Sequence, residues 1–495
     1  MHFAASRWLG IACVLGIACA SCKHPAPPSV DAGPSADAQA LVASDAGEDA
    51  GPAAPVVIPC GKDKGGAFML RFGIDGRFNS DVGVDSCNNI VLAGSFKSPI
   101  DFGGGPLASD GSEDIFLAKF SPSGAYVFAK KFGDQGKQHV KAIAIGPGDD
   151  IYMTGDFDGT VEFGGKPLTR ESKYQSSLYL VRLDTTGKEQ FSRFFVDTAP
   201  GAVANAISVG KDGSVVVAGK FAKSINMGGG PMSVDLGGIF IAKYNKYGGH
   251  QWSKAIAAQK YPNAVSVAGV AVGSDDSIVL AGTFENSVDF SETVTAKSAG
   301  KSDMYVAGFD GDGNAKWAKR FGDNDPNGCN GVVVDGSGNF LALQWDEKKI
   351  PGGPEWKRAH NLTIHKFDPK GKQLFQKFLP GGKGGIDESQ IAAGPGDEIV
   401  IAATLTDNNA LGGKPIEVDK GGKRAAVAVF DSKGAHETSD GYGQDEMPFP
   451  KGLVVDSNGE IVLSGVIDPR PNATAKLPPG KLPFDVFLQK ISPAK

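Results

Sequence analysis

A turn followed by a short apolar strand recurs about every sixty residues along most of this chain. The four clearest copies all end in Gly-x-Phe and span 89–96, 150–157, 214–221 and 277–284. Weaker copies begin at Phe340, Ile399 and Ile461, which makes seven units at intervals of 59 to 64 residues. Each unit contains four apolar segments joined by turns rich in Gly, Asn and Asp, as β-hairpins require. This period predicts an all-β chain that folds as a seven-bladed β-propeller with four-stranded blades.

The two ends of the repeat array complement each other. The seventh unit has a third strand over 485–491, but no fourth strand follows it. Segment 67–73 precedes the first unit and matches that unit's fourth strand, 127–133. We therefore expect an N-terminal strand to complete the last blade and close a ring over 59–495, because an open ring would leave unpaired sheet edges. A linear solenoid is the alternative, but it gives no reason for the surplus at one end to equal the deficit at the other.

A second regularity concerns one aromatic position per unit. Four residues after the glycine of the second tight turn stand Phe128, Phe191, Trp252, Trp317 and Phe375, and Phe68 takes the matching place in the closing strand. The sixth unit departs from the pattern, with Thr438 at this position. Large rings at a fixed place in each blade are expected to pack between neighbouring blades. Stacking on a ligand is the alternative role.

Residues 1–22 have the features of an export signal. Arg7 supplies a positive charge, and the apolar run over 9–20 is shorter than the ~20 residues of a membrane-spanning helix. Residues 19–22, Cys-Ala-Ser-Cys, resemble the lipobox of bacterial lipoproteins, which implies that Cys22 becomes the lipid-bearing first residue of the mature chain. Cys19 is the alternative lipidation point, and ordinary cleavage with secretion is the alternative fate. We expect an exported protein, held by lipid at the outer membrane or the cell surface.

Residues 23–58 consist largely of Ala, Pro, Asp, Ser and Gly. Such a composition cannot bury a core, so we expect a disordered tether between the lipid and the propeller. The segment also carries much of the chain's formal net charge of −6. The folded region is therefore close to neutral, which predicts no nucleic-acid partner because protein surfaces that bind nucleic acid are strongly basic. We expect a monomer.

Three cysteines lie outside the signal segment. Cys60 precedes the closing strand and Cys87 lies in the first turn of unit one, so chain tracing places both on one face in adjacent blades. We predict a Cys60–Cys87 disulfide that reinforces the closure, as an exported protein permits. Cys329 begins an inner strand and is expected to be a buried, unreactive thiol.

The repeat also resembles a known family. The pattern Asp-Ile-Phe-Leu-Ala-Lys-Phe at 114–120, followed by a turn, Phe-Gly-Asp and later Ala-Gly-x-Phe, resembles the SBBP-type β-propeller repeat of bacterial surface and exported proteins. The resemblance covers 65–491 and implies a propeller outside the cytoplasm, with no catalytic residues to transfer. The turns at 184–191 and 310–317 resemble the tryptophan-docking motif of quinoprotein-type propellers, a likeness that we attribute to blade packing rather than to cofactor use.

Motifs for catalysis or metal binding are weak. The run Asp310 to Asn314 looks like the start of a calcium loop, but the twelfth position is Phe321 instead of the required Glu, so a hairpin turn is favoured. No His pair has metal-ligand spacing and no Gly-x-Ser-x-Gly motif is present. We expect no catalytic set, no metal and no cofactor. His139, where a strand enters the central channel, is the candidate for a site at the channel mouth.

The loop face, which carries the longer and more varied connections, is where we expect function. Unit five departs most from the consensus there, and Trp345 and Trp356 stand among charged residues as the candidate contact patch. A drifting repeat with solvent-facing loops is the alternative. The sequence therefore favours a membrane-anchored extracytoplasmic lipoprotein that acts as a binding or assembly scaffold for an unidentified protein or glycan at the cell envelope. The alternative is an extracytoplasmic enzyme with a composite site at the channel mouth.

Overall fold

A computed structural model describes residues 60, 63, 65–74, 80–170, 176–259, 264–349, 358–419, 422–443, 447–468 and 484–493. The chain separates into two compact units, 1–51 and 52–495, and only the second contains described residues. The signal segment with Cys19 and Cys22, and the tether at 23–58, lie outside the described residues and stay predictions. Within the described ranges, no helix could cross a membrane.

Seven antiparallel sheets, each with four blade strands, form a propeller, which confirms the predicted all-β architecture, and the hairpin at 224–233 adds two short strands to the outer edge of blade 2. Each sheet runs from an inner strand at the central channel to an outer strand at the periphery. In that order, the strands of blades 1 to 4 are Ser80–Val84, Ile90–Phe96, Asp114–Phe120 and Tyr126–Phe132; Gln138–Ile145, Ile151–Phe157, Ser176–Leu183 and Glu189–Asp197; Val203–Val209, Val215–Phe221, Gly238–Tyr244 and His250–Ala257; Gly269–Val272, Ile278–Phe284, Asp303–Phe309 and Ala315–Phe321. Those of blades 5 to 7 are Asn327–Val334, Phe340–Lys349, Arg358–Phe367 and Gln373–Leu379; Ile386–Ala393, Ile399–Leu405, Arg424–Phe430 and His436–Tyr442; Met447–Val455, Ile461–Asp468, Phe484–Ile491 and Phe68–Ile74.

Blade 7 is built from both ends of the repeat array. Its outer strand, Phe68–Ile74, pairs antiparallel with its third strand, Phe484–Ile491, and Leu70 lies opposite Leu488. The predicted closure by an N-terminal strand is confirmed. Because these two strands are far apart in the sequence, no tight turn joins them, whereas a tight turn joins the third and outer strands in each of the other six blades.

The connections divide between the two faces of the ring. The turn face carries the first tight turn of each blade, between inner and second strands, and the second tight turn, between third and outer strands. The loop face carries the crossings between blades and the Gly-rich connections. Four of these connections form short two-stranded hairpins: Ile100–Asp101 with Pro106–Leu107, Thr160–Val161 with Leu168–Thr169, Ser224–Asn226 with Pro231–Ser233, and Ser287–Asp289 with Thr295–Lys297.

The core consists of layers between adjacent blades. The second and third strands of blade 1 contain only buried residues, and so do the third strands of blades 3 and 4. Strands covered on both faces appear in sequence as continuous apolar runs rather than as alternating patterns. The resulting ring holds the turns and loops of both faces in fixed positions.

Candidate functional site

Six of the seven blade interfaces are held on the turn face by an aromatic ring. The ring of each outer strand packs against the glycine of the next blade's second turn: Phe68 on Gly124, Phe128 on Gly187, Phe191 on Gly248, Trp252 on Gly313, Trp317 on Gly371 and Phe375 on Gly434. All six glycines have φ between +72° and +84°. A Cβ at any of them would lie 2.5–3.2 Å from the ring. The aromatic position therefore serves packing between blades.

A buried lysine reinforces several of these interfaces. In blades 1, 5 and 7, a lysine of the third strand forms an ion pair with the aspartate of its own blade's first turn: Lys119–Asp85 at 2.9 Å, Lys366–Asp335 at 2.8 Å and Lys490–Asp456 at 2.9 Å. Each ammonium also donates to a carbonyl in the second turn of the next blade, on Thr185, Ser432 and Pro122 respectively. Since a buried charge needs such partners to be tolerated, this lysine is a second docking group.

The interface between blades 6 and 7 lacks both docking groups. Thr438 stands where the other outer strands carry the ring, and Val429 stands where the third strands of blades 1, 5 and 7 carry the lysine. The reason is topological, because blade 7 has no second turn against which either group could dock. A cavity of about 860 Å³ lies at this place on the turn face, between blades 6, 7 and 1, and is called the seam cavity below.

The seam cavity has an apolar floor and an acidic rim. Its floor is formed by Val400, Val429 and Ile461, which are at most 6% exposed, and by the half-buried Val455. Its rim carries four carboxylates, on Asp63, Glu398, Glu437 and Glu460. Among the described residues that line the cavity, none is a lysine or an arginine.

The four rim carboxylates differ in their surroundings. Burial alone would raise the pKa of Asp63, but hydroxyl hydrogen bonds from the second turn of blade 1, each 2.6 Å long, lower it to about 2. Glu460 pairs with the buried Lys490 at 2.6 Å. Neither Glu398 nor Glu437 has an ion-pair partner among the described residues. The rim therefore keeps negative charge that no described cation balances.

The Cys60–Cys87 disulfide lies at the edge of the seam cavity. The structure joins the two cysteines with their Cα atoms 5.0 Å apart, and both line the cavity. The bond links the segment before the outer strand of blade 7 to the first turn of blade 1. Asp63 links the same segment to the second turn of blade 1 through its serine partners. Closure of the ring and the wall of the cavity thus depend on the same contacts.

The central channel is polar and its charges are largely paired. It contains a cavity of about 350 Å³ lined by the inner strands. In five blades the inner strand has a β-bulge whose extra residue is polar: Lys141, Asn205, Asn330, Glu388 and Lys451. Lys451 pairs with Glu388 at 2.8 Å. Burial raises the pKa of Asp81, on the blade 1 side of the lining, to about 6.

His139 belongs to a network of charges between blades 1 and 2. Its Nδ1 lies 2.8 Å from Asp156 and its Nε2 contacts Glu113. Lys141 pairs with Asp156 and Lys137 pairs with Glu113, each at 3.2 Å. The hydrogen bond to Asp156 raises the pKa of His139, with burial acting in the opposite direction. Because each ring nitrogen is already engaged by a carboxylate, the imidazole has no free nitrogen to act as a base. The network reaches the channel lining through Lys141.

Only one of the two tryptophans of the candidate contact patch lies among the described residues. Trp345 is half-buried, packs on the core between blades 5 and 6, and has its ring 5.5 Å from that of His360. Trp356 lies outside the described residues. The patch therefore stays a prediction.

Asp310 and Cys329, the candidates for metal and thiol chemistry, have structural roles. The backbone carbonyl of Asp310 accepts a hydrogen bond from the Gly313 amide in a tight turn. No cluster of three or more His, Cys, Asp or Glu residues suited to a metal occurs among the described residues. Cys329 is buried, and burial raises the pKa of its thiol to about 12.

Comparison with known proteins gives only remote structural likenesses, which carry no argument about this chain. No protein-family model and no curated protein matches the chain, so the resemblance to the SBBP-type repeat stays an expectation. A polysaccharide lyase, PL25 ulvan lyase, aligns with 80% of this chain and 93% of its own at 8% identity and a TM-score of 0.46. A mutant of NanB sialidase from Streptococcus pneumoniae aligns with 84% and 68% at 10% identity and 0.38. A mutant of Synechocystis apocarotenoid oxygenase aligns with 81% and 88% at 10% identity and 0.40. Likeness this low transfers no activity.

Sequence reasoning found one sign of the seam cavity and missed the rest. Thr438 was visible as a break in the aromatic pattern. Val429 was equally visible, because the alignment of third strands places it at the position of Lys119. The role of that lysine is apparent only from its contact with the next blade, which the structure shows. The rim carboxylates come from four separate segments, and no local pattern brings them together.

Proposed function

We propose that this chain is an extracytoplasmic propeller lipoprotein that binds a partner at the cell envelope and acts as a binding or assembly scaffold. The seam cavity is the observation that supports this proposal. Among the described residues, it is the one blade interface with neither docking group, and Glu398 and Glu437, which have no ion-pair partner among those residues, line its cavity. Unlike the channel charges and the His139 network, Glu398 and Glu437 are available to a partner.

The position of the cavity fits an anchored molecule. Cys60, which lines it, follows directly on the proposed tether at 23–58. The tether and its lipid on Cys22, or on Cys19, therefore join the propeller beside the proposed binding site.

Crosslinking and pull-down from intact cells test this function. The full chain is compared with a Cys19→Ala, Cys22→Ala double variant and with Thr438→Trp, which fills the cavity with a ring. We expect a partner with the full chain, less of it without the anchor, and loss of it with Thr438→Trp. Thr186→Trp, an exposed turn residue on the same face, is the matched control. Recovery of the partner with Thr438→Trp would move the binding site elsewhere, with Trp345 and Trp356 the next residues to change to Ala.

An enzyme with a composite site at the channel mouth is the second candidate. The observation in its favour is the convergence of His139, Glu113 and Asp156 close to the channel lining. Assay of the purified protein against envelope glycans, with His139→Gln as control, tests it. Turnover that disappears in this variant would favour the enzyme, and turnover that survives in it would exclude the network as its site.

A further inference from the structure

We propose that the seam cavity binds a protein segment that presents an aromatic side chain next to a lysine or an arginine. This inference rests on the proposed function, since it names the chemistry of the partner for the same cavity. It follows from two independent features, the shape of the six filled interfaces and the charge of the rim.

The filled interfaces show what this position accommodates. In each, a benzyl or indole ring from one blade lies against the turn of the next. Between blades 6 and 7 the apolar floor of Val400, Val429 and Ile461 remains, continuous with the core layer that contains Phe487. An aromatic side chain buries ~150–250 Å² of surface and gains most where apolar walls already exist. A ring from a partner would complete the interface as the chain's own rings do elsewhere.

The negative charge of the rim favours a basic residue next to that ring. Asp63 is held ionised, and Glu398 and Glu437 have no ion-pair partner among the described residues. A cation placed beside the inserted ring would lie in the cavity that these three carboxylates line. Lys62 and Lys64 flank Asp63 in the sequence but lie outside the described residues. Complementary charge of this kind improves both selectivity and the rate of association.

The neighbouring part of the chain does not supply such a ring. Residues 23–58 contain no Phe, Tyr or Trp. The apolar stretch at 56–58, Val-Val-Ile, is separated from the cavity residue Cys60 by Pro59 alone and is the competing occupant from the chain itself. The two occupants differ in a testable way, because only a partner segment needs an aromatic ring and a basic neighbour.

Peptide binding to the purified full chain tests the inference. The probe is fluorescein-labelled Gly-Lys-Trp-Lys-Gly, followed by polarisation. The matched peptides replace Trp by Ala, or both Lys by Glu. We expect the Trp-Lys peptide to bind on the order of tenfold more tightly than either control peptide. Thr438→Trp and Glu437→Gln should weaken binding, whereas Thr186→Trp and Asp312→Asn, on exposed turns of the same face, should not. The urea midpoint of each variant shows that it is folded.

Equal affinity for the Trp and Ala peptides, or unchanged affinity in Thr438→Trp, would overturn the inference. Binding that appears only after deletion of 56–58 would also overturn it, because the cavity would then belong to the chain's own segment. Failure of this inference is distinguishable from failure of the proposed function. If Thr438→Trp abolishes the partner in cells while no peptide binds, the site is right and the proposed ligand chemistry is wrong.

Discussion

At the scale of single residues, the lack of a side chain on the turn glycines lets the aromatic rings of adjacent blades pack closely on the turn face. Gly371 has a φ of +81°, and a Cβ there would lie 2.5 Å from the Trp317 ring. No other residue type combines that backbone angle with that contact. The glycine is visible in the sequence as a turn residue, but its second role, as the surface on which a ring docks, is visible only when the aromatic of the preceding blade is aligned with it.

Gly371→Ala and Gly459→Ala separate these two roles. Gly459 has nearly the same φ, +80°, but a Cβ there would have nothing within 4 Å. Both variants should lose about 1 to 2 kcal/mol for the backbone angle. Gly371→Ala should lose about 1 to 3 kcal/mol more because it displaces the ring. Urea unfolding measures both, and equal losses would contradict the docking role.

Two histidines should give opposite pH dependences. The pKa of His139 is raised by its carboxylate partners, so its contribution to stability is present at acid pH and is lost as the pH rises through the folded-state pKa. Burial lowers the pKa of His365 to about 4, so its contribution is present above the unfolded pKa and is lost as the pH falls.

Replacement of each histidine by Gln tests this pair. The destabilisation by His139→Gln should be larger at about pH 5.5 than at about pH 8.5, and that by His365→Gln should be larger at the higher pH, since the unfolded pKa is near 6.5. Denaturation midpoints at the two pH values give the comparison. The same trend for both variants would show that the two environments are misassigned.

At the scale of elements, the third strands of blades 1, 5 and 7 contribute more than their apolar runs. In these three blades a lysine ties the first turn of its own blade to the second turn of the next. Lys490 is 1% exposed and contacts Asp456, Glu460 and the Pro122 carbonyl. The apolar run was predictable from the sequence because burial on both faces leaves a continuous pattern. The ion pairs were not, because their partners lie in other turns and other blades.

Lys490→Met should be strongly destabilising, since it leaves buried carboxylates without a cation. Loss of one partner of a buried pair costs about 3 to 5 kcal/mol. Lys316→Met is the matched control, because Lys316 pairs with Asp310 at 2.7 Å but is more than half exposed. Its loss should not exceed about 1 kcal/mol. Chemical denaturation compares the two variants. Similar losses of unfolding free energy would mean that the stabilisation by Lys490 does not depend on its burial at the interface.

At the scale of the whole molecule, ring closure explains both the fold and the seam cavity. The sequence predicts the closure because the surplus strand before blade 1 matches the missing strand of blade 7. It does not predict the cavity, since that depends on the absence of one turn and on carboxylates from four separate segments. The partners of His139 and the residues that pack against Trp345 also come from separate strands and loops. The sequence alone therefore did not indicate these contacts.

The Cys60–Cys87 disulfide should stabilise the closed ring. The cysteines are 27 residues apart, and a loop of that length corresponds to about 3.5 kcal/mol in the chain-entropy account. A Cys60→Ala, Cys87→Ala double variant should unfold at correspondingly lower urea concentration. A reductant should lower the midpoint of the native protein and leave that of the double variant unchanged. An equal effect of reductant on both would assign the stabilisation to another thiol.

Photocrosslinking in intact cells tests most directly whether a partner occupies the seam cavity. A photoreactive phenylalanine analogue is placed at Asn458, on the exposed rim of the cavity, in one strain and at Thr186, exposed on the same face, in another. We expect one discrete adduct from position 458 and none from position 186. No adduct at position 458, or the same adducts at both positions, would contradict occupation of the cavity by a partner.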